Sequence, residues 1–95
     1  MIIIAGYSHT KNIHERDAAV AAFADMVGRA RKADGCVDLS ISADSVDSGR
    51  VNIFELWRDQ ESLDAWRKVA KGPRGIEYRE AHVKLFRTDR AEKPF

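Results

Sequence analysis

The sequence predicts an α+β fold, a four-stranded antiparallel sheet with two helices on one face, in the order βαββαβ. Three observations carry this. Residues 51–57 place apolar side chains on both alternating sides (Val51, Ile53, Phe54, Leu56, Trp57). A half-solvated strand would alternate cleanly, so something covers the second side. Cys36–Ala43, by contrast, alternates strictly, as a strand with one wet side does. Between the extended stretches lie two segments whose apolar residues recur at the three- and four-residue steps of a helix.

Element by element, the first strand spans residues 2–8. Ile3, Ala5 and Tyr7 point one way, and Ile2, Ile4 and Gly6 the other. The first helix starts at Asn12, which forms a capping-box pair with Glu15, and buries Val20, Phe23, Ala24, Val27 and Ala30. Arg29, Arg31 and Lys32 suit the negative end of its dipole, and Gly35 is the expected C-cap. In the second strand Val37, Leu39 and Ile41 face inward, opposite Asp38, Ser40 and Ser42. Residues 44–49 are turn material leading back antiparallel. The second helix is capped by Asp59, turns Leu63 and Trp66 inward, and ends at Lys71 before Gly72 and Pro73. Residues 74–81 are ambiguous, with a short helical turn as one reading. Residues 82–88 form the last strand, with Val83 and Leu85 on one side and Phe86 on the other. The charged tail, residues 89–95, is either frayed or an arm docked on a partner.

The order βαββαβ is the split βαβ, or ferredoxin-like, arrangement. The 95 residues form a single domain with marginal surface-to-volume economy. Helices cover one sheet side only, so the apolar residues on the other side form a patch unless a second copy covers them, and the expected assembly is a homodimer. The 16 basic and 15 acidic residues balance, which argues against nucleic acid. No apolar run approaches the length of a membrane span, and the apolar start lacks a basic lead, so the expectation is no membrane partner and a cytoplasmic protein. Cys36 is the only cysteine, which excludes an internal disulfide. No phosphate loop, nucleophile elbow or zinc signature is present.

Three pieces of the chain resemble a known family: Ala33-Asp34-Gly35-Cys36, Glu55-Leu56-Trp57-Arg58-Asp59 and Leu63-Asp64-Ala65-Trp66. Together, over roughly residues 1–88, they resemble the antibiotic biosynthesis monooxygenases, dimeric α+β barrel proteins. The resemblance implies a small-molecule monooxygenase acting with O2 on an electron-rich aromatic such as a quinol or polyphenol, using no metal, flavin or haem. Many members carry a histidine where this chain has Trp66, and the tryptophan resembles the quinone-forming and haem-degrading subset. The haem degraders add a first-strand asparagine and a helical histidine; here Tyr7 stands in the first strand and no histidine follows Trp66 before residue 82. A haem-binding protein and a non-catalytic dimeric binding module are the alternative functions.

Candidate site residues follow. Trp66 is either the wall of a flat pocket that stacks an aromatic ring or simply the largest core residue of its helix. Tyr7 is either a hydrogen-bond or proton partner of the substrate or a tyrosine at the sheet rim. His82 opens the last strand, which in this topology lies beside the first, so His82 and Tyr7 or His9 are expected to converge, and either histidine is a candidate base. His14 is expected on an exposed helical turn. Asn52 and Tyr78 are candidate substrate-binding residues, Arg67 is expected in solvent, and Glu55 is expected to hold a fixed partner in an ion pair. The histidines lack the spacing of a local metal site.

Overall fold

The structure, a computed structural model, describes residues 1–77 and 79–95. Its elements are β1 (Ile2–His9), α1 (Ile13–Ala30), β2 (Cys36–Ala43), β3 (Arg50–Trp57), α2 (Gln60–Val69) and β4 (Glu80–Arg87). The strands form one sheet in the order β2-β3-β1-β4, and every neighbouring pair is antiparallel. This is the ferredoxin-like βαββαβ fold. The candidate Tyr78 lies outside the described residues. No helix among the described residues is long and apolar enough to cross a membrane.

Registration fixes which side chains share a face. Ile2 pairs with Trp57 and with Arg87, and Tyr7 pairs with Asn52 and with His82. Even-numbered residues of β1 therefore meet the helices, together with odd-numbered residues of β3 and β4. Ile2, Ile4, Leu39, Trp57, Leu63 and Trp66 join Val27 and Ala30 in one core between sheet and helices. Trp57 and Leu63 are fully buried, each stabilising the fold by roughly 1.5–3 kcal/mol in removed apolar surface. The other face carries Ile3, Ala5, Tyr7 and His9 beside Arg50, Asn52, Phe54 and Leu56, and among the described residues no helix packs on it.

Local details depart from the sequence expectations at four places. Strand β2 slips register between Cys36 and Asp38, so Cys36 turns toward the core and Val37 is 58% exposed. A bulge of this kind breaks the strict alternation on which the inward assignment of Val37 rested. On α1 it is Ala19, not Ala24, that is buried. Gly35 does not cap α1, which ends at Ala30 with Arg31 still right-handed; instead Gly35 (φ +81°) turns the chain into β2. A side chain there would run into Ser62 on α2. The second helix stops at Val69 because Ala70 turns extended (ψ 131°), and Gly72 is not left-handed.

The N-caps behave as their sequences suggest. Asn12 Oδ1 accepts from the Glu15 N–H at 2.9 Å, while Glu15 reaches back to the Lys11 N–H rather than to that of Asn12. Asp59 Oδ1 accepts from the Ser62 N–H at 2.8 Å, which holds its carboxyl down at about 2, assisted by the Ser62 hydroxyl and Arg58.

Candidate functional site

Alternation on β1 sends Tyr7 and His9 to the open face, and antiparallel pairing sets β3 and β4 residues beside them in two rows. One row reads Asn52, Tyr7, His82; the next reads Arg50, His9, Glu80. The Tyr7 and His82 rings stack at 4.9 Å with planes 29° apart, and His9 meets Tyr7 edge-on at 5.6 Å. The Arg50 guanidinium carbon sits 3.8 Å from the Tyr7 ring centroid, so Tyr7 is held by a cation on one strand and an imidazole on the other. Among the described residues the Tyr7 hydroxyl has no hydrogen-bond partner.

Carboxylates organise this cluster from below. His82 Nε2 lies 3.2 Å from Glu80 Oε2, and the same oxygen is 3.8 Å from His9 Nδ1. His9 Nε2 lies 2.9 Å from Asp47 Oδ2. An ionised carboxylate only accepts, so Asp47 and Glu80 fix the protons on His9 Nε2 and His82 Nε2. His9 Nδ1 is buried without a hydrogen-bond partner among the described residues. Asn52 donates from Nδ2 to Asp44 Oδ1 at 2.8 Å and accepts from Arg50 Nε at 2.6 Å. Backbone N–H groups of Asp47 and Val46 and the Asn52 amide hold the Asp44 carboxyl down at about 2, and the Gly49 N–H and His9 hold Asp47 below its ordinary value. Further along the same face apolar residues fill the middle strands, with polar or charged neighbours at the edges: Ser40, Phe54, Ala5 and Lys84 form one row, and Asp38, Leu56, Ile3 and Phe86 the next, the last 51% exposed.

Of the sequence candidates, Tyr7, His9, His82 and Asn52 therefore come together. Trp66 does not join them. It packs on the helix side, 7% exposed, with its ring 6.2 Å from Trp57 and the Arg29 guanidinium 5.9 Å from its centroid. The sheet separates it from Tyr7. Its outer edge borders a cleft of about 380 Å³ with Ala33, Ser62, Ala65 and Val69, and the cation that lines it, Arg58, is already held by Asp34 and Asp59. Those contacts lower Asp34 and raise Arg58. Glu55, on the helix side of β3, accepts from Trp57 Nε1 at 3.0 Å, an indole partner where an ion pair was expected. Arg67 and His14 are exposed. Burial, helped by Asp38 and Glu55, pushes the Cys36 thiol up, away from thiolate chemistry.

Sequence reasoning missed Arg50, Glu80, Asp44 and Asp47. Arg50 and Glu80 were recoverable: extending β3 by one residue and β4 by two, at the same parity, sets both beside His9. The two aspartates depend on how the hairpin folds, which no periodicity encodes. Among the described residues no group of three or more His, Cys, Asp or Glu is placed to hold a metal ion.

The family model for antibiotic biosynthesis monooxygenases matches residues 1–72. Among solved structures, a Nitrosomonas europaea protein classed with those monooxygenases is 16% identical, with TM-score 0.71 over 93% of this chain and 98% of its own. A Deinococcus radiodurans protein of the same class is 16% identical, with TM-score 0.70 over 100% and 99%. A conserved Methanosarcina mazei protein is 14% identical, with TM-score 0.71 over 93% and 92%. At these identities the likeness concerns the fold. No curated protein matches the chain.

Proposed function

The chain belongs to the antibiotic biosynthesis monooxygenase family, and on that premise we propose that it oxidises a small electron-rich phenol with O2 on the open face of the sheet. The observation that carries the reading is the Tyr7–His82 stack, flanked by Arg50 and bordered by apolar Ala5, Phe54, Ile3 and Leu56 on the two middle strands, with Lys84 at the β4 edge. A flat ring fits these apolar residues, where Ala5 is the small side chain, and its hydroxyl reaches the polar rows. A second copy of the chain, packed sheet to sheet, covers the face and excludes water from the ring.

The chemistry needs only groups of these kinds. Glu80 holds the proton of His82 on Nε2, leaving Nδ1 to take the phenolic proton. The phenolate passes one electron to O2; the two radicals recombine at a ring carbon that carries hydrogen, forming a C–O bond. Loss of that hydrogen as a proton and cleavage of the O–O bond release water and leave a quinone. The overall change is a phenol plus O2 to a quinone plus water, with all four electrons drawn from the ring. Tyr7 donates its hydroxyl hydrogen to the reduced oxygen, the proton that His82 took from the phenol replaces it, and Asn52 borders the ring hydroxyl. The protein contributes burial, orientation and proton transfer. Trp66 supports the site through the core and does not touch the ring.

Oxygen uptake across a panel of phenols, naphthols and catechols tests this. Turnover is expected, with His82→Gln lowering kcat by about 10²–10⁴-fold and Tyr7→Phe by less. Retained ligand binding with no oxygen uptake across the panel would instead identify a binding module. Sedimentation at micromolar concentration should show a dimer; a stable, soluble single subunit would remove the covering copy from the reading.

A further inference from the structure

Among the described residues Arg16 is the one buried charged residue, 8% exposed in the first turns of α1, on the helix side of the sheet. A charge in that position is costly unless its donors are matched. Nε and Nη2 reach Asp17 Oδ1 at 3.1 and 3.0 Å, and Nη1 donates to the backbone carbonyls of Asp44 and Asp47, both at 3.2 Å. Those two carbonyls belong to the residues whose side chains climb to the open face. Each aspartate divides its oxygens in the same way. Asp44 uses Oδ2 to close the turn, accepting from the Val46 and Asp47 N–H groups, and Oδ1 to hold Asn52. Asp47 uses Oδ1 to accept from the Gly49 N–H and Oδ2 to hold His9. Thr10, 5% exposed, fixes the far end of the hairpin through the Gly49 carbonyl, to which its N–H donates at 2.8 Å and its hydroxyl at 3.1 Å.

We propose that Arg16 is a positioning residue for the open-face site: it locks the β2–β3 hairpin from below so that Asp47 and Asp44 hold His9 and Asn52 from the side. The proposal rests on the open-face reading of function. It makes the guanidinium a link between α1 and a site on the opposite side of the sheet, beside the Thr10 hydroxyl that bridges the Asn12 and Gly49 carbonyls. Losing it takes a donor from both carbonyls, leaving that of Asp47 with the Arg50 N–H at 3.2 Å, and a hairpin free to move by even 1 Å takes the His9 partner with it. A misplacement of that size at a reacting centre costs up to about 100-fold in rate.

The test compares His9 ring carbon and nitrogen resonances in isotope-labelled wild type, Arg16→Met, Arg16→Lys and Asp47→Asn, with the Trp57 and Trp66 indole N–H signals as a record of the core. Arg16→Met is expected to move the His9 signals in the direction Asp47→Asn moves them while the indole signals stay in place, and Arg16→Lys, which keeps a cation and donors, moves them less. His9 signals that coincide with wild type in Arg16→Met overturn the proposal. Should Arg16→Met fail to fold, Arg16→Lys decides alone: a displacement toward the Asp47→Asn position upholds the link, and none overturns it. These signals are read without turnover. Absence of phenol oxidation therefore counts against the proposed reaction only, and unmoved signals in an active enzyme count against Arg16 only. In an active enzyme, kcat should fall up to about 100-fold in Arg16→Met while KM changes little.

Discussion

Replacing Gly6 by alanine strikes the seam between β1 and β4 on which the Tyr7–His82 stack depends. Gly6 pairs with Val83, has φ +153°, and carries hydrogen where any other residue carries Cβ. A Cβ built there overlaps the His82 carbonyl oxygen and lies 2.7 Å from Val83 Cα, whereas real Cβ contacts essentially never come under 3.0 Å. Both obstructing atoms are backbone, so no side-chain rotation relieves the clash and β4 itself must move. The strain expected from such overpacking is about 1–3 kcal/mol. The displaced residue is His82, whose ring sits 4.9 Å from Tyr7. Gly6→Ala should therefore lower the urea midpoint at unchanged m-value and shift the Tyr7 and His82 ring-proton signals, which each ring's current sets for the other. Oxygen uptake should fall further than the stability loss alone explains. Wild-type stability together with unmoved ring signals would refute the reasoning.

Trp66→Ala removes a ring that is 7% exposed and stacked on Trp57, so it should cost about 3–5 kcal/mol in urea unfolding. A well-folded, near-wild-type Trp66→Ala protein would show that Trp66 is not the core residue described above. In acid, Asp44 and Asp59 titrate at about 2 in the folded chain against an ordinary 3.8. Their folded values are depressed, so their stabilisation is complete above about pH 4 and is lost as pH falls toward 2. Stability measured from pH 5 to 2 should decline more gently in Asp59→Asn than in wild type; parallel curves would contradict the assignment.

The fold was legible because the information was local. Ile2, Ile3 and Ile4 in succession, then Val51 through Trp57, announce strands apolar on both sides, and Asn12 and Asp59 each cap the helix that follows. The failures were also local in origin. The bulge at Val37 depends on pairing with β3, and Gly35 serves a close approach by Ser62 that no neighbouring residue signals. At the site, the meeting of Tyr7 with His82 followed from topology alone. The side of the sheet on which Trp66 falls was equally available: Tyr7 shares its parity with Ile3 and Ala5, opposite the face that the helices cover. Arg16 was unreadable, since a charged residue in the first turns of a helix ordinarily lies in solvent. Its burial arises only when the hairpin folds against it.

Titrating isotope-labelled protein with a soluble naphthol, and following backbone and ring resonances, tests the location of the site most directly. Binding on the open face predicts shifts at Ala5, Tyr7, His9, Asn52, Phe54 and His82, with the α2 signals quiet. Shifts concentrated instead at Ala33, Ser62, Ala65 and Val69 would move the site to the cleft beside Trp66 and contradict the account.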